Sequence, residues 1–136
     1  MFCGLNHGEW NYYYLFSIMM SNKEKGKKGE DLALAYFQNK GYEILATNWR
    51  YGSHELDIIA QRGNYVHFIE VKTRTNKMFG YPDDNVSKKK IQSMMIAAEN
   101  WLSRNNNKKR VQYDVLAIEI IYKEPSYTLI EDVYVW

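Results

Sequence analysis

The stretch from His54 to Arg74, HELDIIAQRGNYVHFIEVKTR, predicts two β-strands joined by a tight turn. On each side of Gly63-Asn64, apolar and polar residues alternate with the period of two that is typical of a half-buried strand. A Gly-Asn pair between two such segments favours a two-residue hairpin turn. A turn of that length places Arg62 opposite Tyr65 and so sets the register of the whole hairpin.

In that register Asp57 lies opposite Glu70. By the same count Glu55 lies opposite Lys72; a four-residue loop would keep these pairs, and an odd-length loop would break them. Two carboxylates directly opposite each other repel and destabilise a sheet. A cation between them removes the repulsion, and hard oxygen ligands select Mg²⁺, Mn²⁺ or Ca²⁺. The alternative is an ordinary solvent-exposed strand face that carries an Asp, a Glu and a Lys.

Composition and charge are those of an ordinary globular protein. The 136 residues favour one domain, with 46% hydrophobic and 25% charged residues. Because the net charge is only +2, a nucleic-acid surface must come from local clusters of Lys and Arg. The single cysteine, Cys3, excludes an intramolecular disulfide. No apolar run approaches the ~20 residues of a membrane span, and we expect a cytoplasmic location without membrane contact.

The first twenty residues end in an apolar and aromatic segment, Tyr12 to Met20, that stands apart from the rest of the chain. This segment could add a strand, cover a sheet edge or remain disordered. We expect residues 1–20 to be an N-terminal extension and residues 21–136 to form a single domain.

A helix is predicted from Lys25 to Lys40, with Gly41 as its C-terminal cap. Its apolar stripe begins with a carboxylate and has the spacing i, i+3, i+4 and i+7: Glu30, Ala33, Leu34 and Phe37. A half-buried carboxylate needs a partner. The alternative explanation for Glu30 is its place near the helix start, where the macrodipole favours a negative charge.

The remaining elements follow from the same patterns. The predictions are a strand at 42–49, a turn at 50–53, a loop at 75–84, a helix capped by Ser87 or Asn85, a strand at 111–121, a turn at Pro125 and a strand at 127–135. The second helix has an apolar stripe at helical spacing: Ile91, Met94, Met95, Ala98 and Leu102. His67 faces away from Glu70 in the alternation, so we expect it to pack in the core.

Basic residues cluster at the starts of both helices. Lys88, Lys89 and Lys90 occupy the first turn of the second helix, where cations oppose the macrodipole. A phosphate bound there would gain from the free amides and the lysines together. A solvated basic turn is the alternative. We expect nucleic-acid contacts from these three residues and from Lys27, Lys28 and Arg74.

Asp57, twelve intervening residues and then Glu-Val-Lys resemble the site of the PD-(D/E)XK nuclease superfamily. More closely, the chain resembles the bacterial YraN or UPF0102 family. Six pieces in order carry this likeness: GKKGEDLA at 26–33, GYEILATNWR at 41–50, ELDIIA at 55–60, FIEVKTR at 68–74, VSKKKI at 86–91 and YDVLAI at 113–118. His54 stands where the family usually has Gly, which leaves His54 either as a donor behind the site or as an exposed residue.

The resemblance implies an α/β fold with a restriction-endonuclease-like core, a central mixed β-sheet flanked by helices in the order α-β-β-β-α-β-β. It implies that Asp57 and Glu70 ligate Mg²⁺ or Mn²⁺, with the Val71 carbonyl as a third ligand. Lys72 would then orient the attacking water or offset charge on the phosphate. A first-helix Glu reaches the metal site in the archaeal Holliday-junction resolvases and related nucleases that this part resembles. The resemblance therefore implies that Glu30 helps through a metal-bound water.

The function expected from these observations is metal-dependent hydrolysis of DNA phosphodiester bonds by an endonuclease-like protein, on branched or junction DNA. The alternative is a non-catalytic nucleic-acid-binding module of the same fold. A third and more remote hypothesis is a protein–protein adaptor, which only the aromatic residues near the N-terminus support. The sequence is compatible with a homodimer, and it does not distinguish DNA from RNA.

Overall fold

The computed structural model describes residues 21–74, 87–121 and 124–133. Their elements, in chain order, are helix α1 (Asn22–Asn39), strands β1 (Glu43–Tyr51), β2 (His54–Arg62) and β3 (Tyr65–Arg74), helix α2 (Lys88–Asn105), and strands β4 (Arg110–Ile121) and β5 (Glu124–Ile130). This confirms the predicted order of helix, three strands, helix and two strands. The expectations for residues 1–20 and for the loop at 75–84 lie outside the described residues.

The described strands form one five-stranded mixed sheet in the order β1-β2-β3-β4-β5. Neighbouring strands are antiparallel except β3 and β4, which are parallel. A parallel pair cannot be joined by a tight turn, and here the connection contains α2. The described part of the chain is therefore an α/β fold with a mixed sheet, as predicted.

Each helix covers one face of the sheet. Phe37 of α1 packs in one core with Ile69 of β3, whereas Trp101 of α2 packs in a second core with Phe68. Consecutive strand residues point to opposite faces, so these two contacts place the helices on opposite sides. In the described residues, neither helix combines the length and the hydropathy needed to cross a membrane.

Both helices begin at serine caps. The Ser21 hydroxyl accepts from the Glu24 amide while the Glu24 carboxylate accepts from the Ser21 amide, a capping box that starts α1 earlier than the predicted Lys25. Gly41 follows the end of α1 with a φ of 85°, a conformation that suits glycine. The Ser87 hydroxyl accepts from the Lys90 amide at 3.1 Å, which confirms Ser87 as the cap of α2.

The buried stripe of α2 differs in part from the prediction. Its buried residues are Ile91, Met94, Ala97, Ala98 and Trp101. Met95 and Leu102 are only half-buried. Because Trp101 is much larger than Leu102, the helix turns so that the indole fills the space against Phe68, with the two rings 5.8 Å apart.

The prediction of a turn at Pro125 and of a strand starting at Tyr127 was wrong. Pro125 lies inside β5, opposite Ile120 of β4. β5 is an edge strand of the sheet. A proline is tolerated there because an edge strand has a side on which no ladder hydrogen bond is needed. The strand ends at Ile130, and the last two positions of the predicted strand, 134 and 135, lie outside the described residues.

His67 packs in the core, as predicted. It is only 4% exposed and lies on the side of α1, its ring 5.0 Å from that of Tyr42. Its Nδ1 lies 2.7 Å from Oδ2 of Asp114, which is fully buried. The second Asp114 oxygen accepts from the Gln112 side chain and from the Asp132 amide. These contacts satisfy a polar pair in an otherwise apolar core.

One glycine fixes the approach of α1 to β3. A Cβ added to Gly29 would lie 1.9 Å from Oγ1 and 3.0 Å from Cβ of Thr73. Gly29→Ala is therefore expected to destabilise the protein by about 1–3 kcal/mol, the range for overpacking, in spite of the better helix propensity of alanine. The measurement is the midpoint of denaturant unfolding.

Gly26→Ala is the matched control, because a Cβ there meets nothing within 4 Å. It is expected to stabilise α1 by about 0.5–1 kcal/mol. Thr73→Ala in the Gly29→Ala background should recover part of the loss, since it removes Oγ1 but leaves Cβ. Equal effects of the two alanines would show that α1 moves away from β3 without penalty.

Candidate metal centre

The predicted hairpin register is correct. It runs from the pair Arg62–Tyr65 to the pair Ile58–Ile69, and there the ladder between β2 and β3 ends. Both strands continue beyond this point, β2 against β1 and β3 against β4. The two strands therefore separate where the register would next pair Asp57 with Glu70. We call this separation the fork.

The Asp57 side chain closes the end of the ladder at the fork. Its Oδ2 accepts a hydrogen bond of 2.7 Å from the Val71 amide. In an uninterrupted ladder that amide would bond to the backbone of Leu56. A strand residue that directs its N–H toward one neighbour directs its C=O the same way. The Val71 carbonyl thus faces the fork, where the resemblance placed a third metal ligand.

The cause of the fork lies in β1 as well as in β2. Asn48 of β1 lies opposite Asp57 of β2. The positions on either side of it pair with β2, and Asn48 itself has a φ of 51°. Asn adopts this left-handed conformation more readily than most residues. Leu56 packs in the core under α2 and Ile58 in the core under α1, although a regular strand would send both to one face. The distortion at Asp57 turns its carboxylate toward β3.

Glu70 is 4% exposed, and its two oxygens have different surroundings. Oε1 lies 3.2 Å from Nζ of Lys90 and 3.5 Å from Nζ of Lys72. Oε2 is buried and has no hydrogen-bond partner among the described residues. A buried acceptor without a partner destabilises a protein by about 1–3 kcal/mol, so this atom indicates a place for a further ligand.

Asp57 and Glu70 lie close enough for the charge of Glu70 to affect the pKa of Asp57. Burial raises the pKa of Asp57 to about 7, and the nearby negative charge of Glu70 contributes in the same direction. The Val71 hydrogen bond and the Lys90 ammonium lower the pKa of Asp57, without reversing the shift. Such a pair favours either a shared proton or a cation.

The residues at the fork fit a hard divalent cation. Mg²⁺ is usually bound by one or two carboxylates and keeps several waters. Asp57 and Glu70 supply the carboxylates, and Oε2 of Glu70 lacks another partner in the described part of the chain. Within the described ranges, no three His, Cys, Asp or Glu side chains converge on one point. Waters would have to complete the coordination.

Glu30 lies near the pair but outside it. Burial raises the pKa of its carboxyl, and the charge of Asp57 is the next cause; a hydrogen bond with the Asn48 side chain opposes both. The adjacent Gly29 sets this position through its close contact with Thr73. In the described part of the chain, Glu30 does not form a group of three or more His, Cys, Asp or Glu side chains that could hold a metal ion.

The expected pairing of Glu55 with Lys72 was wrong. The β2–β3 ladder ends before it reaches these residues, and Glu55 instead pairs with Arg50 of β1. The Arg50 guanidinium lies 3.6 Å from the Glu55 carboxylate. Lys72 remains on the face of Glu70, as the alternation predicted.

The lysines at the start of α2 divide into two groups. Lys88 and Lys89 are exposed, whereas Lys90 is half-buried and contacts Glu70. The sequence contained a signal for this difference, because Lys90, Met94 and Trp101 share one helix face at i, i+4 and i+11. Of the other predicted phosphate contacts, Lys27 and Lys28 are exposed on α1, and Arg74 is half-buried at the end of β3.

Two further residues support the fork. His54 is half-buried and its Nδ1 lies 2.8 Å from Oγ of Ser93, so the start of β2 is bound to α2. This contact gives His54 a structural role. Asn48 was not selected from the sequence at all, and only its backbone conformation and its place beside Glu30 identify it.

The profile of "Uncharacterised protein family UPF0102" matches residues 29–118 of the chain. The chain belongs to the UPF0102 family. A UPF0102 protein of Christiangramia forsetii is 44% identical over 100 residues, which cover 74% of this chain and 84% of the relative. A UPF0102 protein of Clostridioides difficile is 38% identical over 111 residues, covering 81% and 97%. A third, of Flavobacterium psychrophilum, is 41% identical over 106 residues, covering 78% and 87%.

The UPF0102 match covers the complete fork. It begins at Gly29, which positions α1, and extends through β4 to Ile118. Asp57, Glu70 and Lys90 all lie within it, whereas Lys27 and Lys28 precede it. The fork therefore belongs to the part of the chain that this protein shares with the UPF0102 family.

Proposed function

We infer that this UPF0102 protein is a metal-dependent nuclease that hydrolyses DNA phosphodiester bonds. The observation that carries this inference is the arrangement of Glu70. One oxygen contacts two lysines and the other has no partner in the described residues. Asp57, whose pKa the charge of Glu70 helps to raise, lies beside it. The Asp–Glu–Lys arrangement across a hairpin resembles that of the PD-(D/E)XK superfamily, and so does the order of elements.

Asp57 and Glu70 would hold Mg²⁺ or Mn²⁺, with the Val71 carbonyl as a third ligand. A cation bound there supplies Lewis-acid chemistry and makes an attacking water more acidic. The Lys72 ammonium would orient this water or stabilise negative charge that develops on the phosphate. Glu30 would position a water at the edge of the site.

DNA would be bound mainly through its phosphates. Lys88 and Lys89 are exposed at the N-terminus of α2, where free amides and the helix dipole also attract anions. Lys27, Lys28 and Arg74 would extend this contact. Binding carried by such residues has little sequence preference and weakens steeply with salt. A cytoplasmic location is part of the proposal.

A second candidate is a nucleic-acid-binding module without turnover. The observation in its favour is that Nζ of Lys90 and Nζ of Lys72 lie 3.2 and 3.5 Å from Glu70 and offset its charge. A carboxylate pair whose negative charge is offset by two lysines would be compatible with a purely structural site.

The proposal predicts cleavage that depends on a divalent cation. The purified protein would be incubated with branched, flapped and linear DNA in Mg²⁺, Mn²⁺ or chelator, beside Glu70→Gln. Glu70→Gln keeps the shape of the side chain but removes its charge. Cleavage by the wild type with metal alone, and none by the variant, is the expected result. Binding of DNA and RNA without cleavage of either would favour the binding module.

A further inference from the structure

The position of Lys90 has a consequence for how the site would bind a cation. Nζ of Lys90 lies closer to Glu70 Oε1, at 3.2 Å, than does Nζ of Lys72, at 3.5 Å. Both ammonium groups therefore contact the same oxygen. A divalent cation at the fork would lie within a few ångströms of two positive charges, and like charges at that distance repel strongly where water is partly excluded.

One of the two ammonium groups must therefore withdraw when a cation binds. Lys72 belongs to β3, and its backbone is held by pairing with Ala117 of β4. The two side chains are similarly exposed, 32% for Lys90 and 35% for Lys72. Lys90 differs in its place, since it lies in the first turn of α2 and not on a strand beside Glu70. Its neighbours Lys88 and Lys89 are exposed at the same helix end, where a phosphate would be attracted. Lys90 thus has both a path away from Glu70 and a second partner.

We propose that Lys90 is an internal counter-ion of the fork, which neutralises Glu70 in the metal-free protein and moves to a substrate phosphate when a divalent cation binds. The inference rests on the proposed function, since it concerns the same site. It assigns Lys90 a role different from that of Lys88 and Lys89, which contact phosphate only.

This exchange couples the two ligands. A phosphate group that attracts the Lys90 ammonium away from Glu70 lowers the electrostatic repulsion between this ammonium and the cation. By reciprocity, a bound cation repels the ammonium and so favours its contact with the phosphate. Lys90 therefore makes binding of metal and of DNA positively cooperative. Without the Lys90 ammonium, the metal should bind more tightly on its own and gain less from DNA.

The test is a titration of the full-length protein with Mn²⁺, followed by the electron paramagnetic resonance of free Mn²⁺ at pH 8. Lys90→Gln is expected to bind Mn²⁺ roughly ten-fold more tightly than the wild type, the order expected for removal of one charge a few ångströms away. Lys89→Gln removes the same charge one residue away and should leave the affinity within about two-fold of wild type, because exposed charges are screened. Lys90→Arg retains the charge and should restore the weaker affinity.

Each outcome decides between the inference and the proposed function. If wild type and Lys90→Gln bind Mn²⁺ with equal affinity, Lys90 is not a counter-ion, and the metal site itself stands. If only Lys90→Gln binds Mn²⁺, Lys90 is a stronger counter-ion than we infer. If none of the proteins binds Mn²⁺, both the metal site and the role of Lys90 are excluded. Circular dichroism of each variant verifies that it is folded.

Discussion

Lys72→Ala is expected to lower the rate of phosphodiester hydrolysis by about 10²-fold or more, the scale of losing one positioned catalytic group. The reason is the place of Lys72 on the same strand face as Glu70, with its Nζ 3.5 Å from Oε1. An ammonium there would lie beside a cation bound at the fork and could act on the attacking water or on the phosphate. DNA affinity should change little, because most of the proposed phosphate contacts involve other lysines.

The rate should be measured in single turnovers at saturating DNA, and affinity separately in the presence of chelator. Mg²⁺ binding to Lys72→Ala should persist or become tighter, since a repelling charge has been removed. A loss of DNA affinity equal to the loss of rate would instead identify Lys72 as a simple phosphate contact.

The control for Lys72 is the double variant Lys88→Ala, Lys89→Ala. Both side chains are exposed and neither contacts Glu70. We expect the double variant to weaken DNA binding and to flatten its salt dependence, with nearly unchanged chemistry at saturating DNA. The opposite responses of the two variants would separate catalysis from binding.

Asp57→Asn is expected to make the protein more stable at pH 8 by about 1–3 kcal/mol, although it removes a ligand of the proposed metal. Burial and the neighbouring Glu70 raise the pKa of Asp57 from the ordinary value of 3.8 to about 7. Each pKa unit is equivalent to ~1.4 kcal/mol. The asparagine oxygen can still accept from the Val71 amide, so the variant loses the charge and retains the hydrogen bond.

The pH dependence of stability follows from the direction of this shift. The folded protein holds the Asp57 proton more tightly than the unfolded chain does. Below about pH 4 the carboxyl is protonated in both states and does not lower the free energy of unfolding. As the pH rises from about 4 to 7 the unfolded state gains by ionising, so the wild type should lose stability, and the loss is complete above pH 7. Asp57→Asn should lack this decrease.

Thermal and denaturant unfolding between pH 4 and pH 8, with and without Mg²⁺, would measure the effect. Mg²⁺ should restore stability to the wild type at pH 8 and have little effect on Asp57→Asn. Asp31→Asn is a suitable control because Asp31 is exposed on α1. A variant Asp57→Asn that is less stable than wild type at pH 8 would show that the ionised carboxylate supports the fold.

The hairpin and its carboxylate pair could be predicted because a strand has an exact period of two and a two-residue turn fixes the register. The end of the ladder could not be predicted, since it depends on the left-handed conformation of Asn48 in a different strand. Pro125 was misjudged because its tolerance depends on the edge position of β5, and strand order is not contained in a local pattern.

In the helices, too, local features could be predicted from the sequence, whereas contacts with distant parts of the chain could not. The serine cap at Ser87 and the glycine at Gly41 were found because each satisfies a local requirement of a helix end. The run of three lysines predicts a basic first turn that includes Lys90, although the spacing of Lys90 from Met94 places it toward the core. The contact between Lys90 and Glu70 joins distant parts of the chain. It depends on the parallel crossover, which brings α2 over β3.

The hydrogen bond between Val71 and Asp57 connects a backbone amide to a titrating side chain. Most amides in a sheet are held by carbonyls, whose strength as acceptors does not change with pH. The Val71 amide is held by a carboxylate whose charge changes near neutrality and whose strength as an acceptor would fall when it binds a cation. In a ¹H–¹⁵N correlation spectrum of ¹⁵N-labelled protein the Val71 resonance is consequently a built-in reporter, because its shift would record the state of the fork without any attached probe.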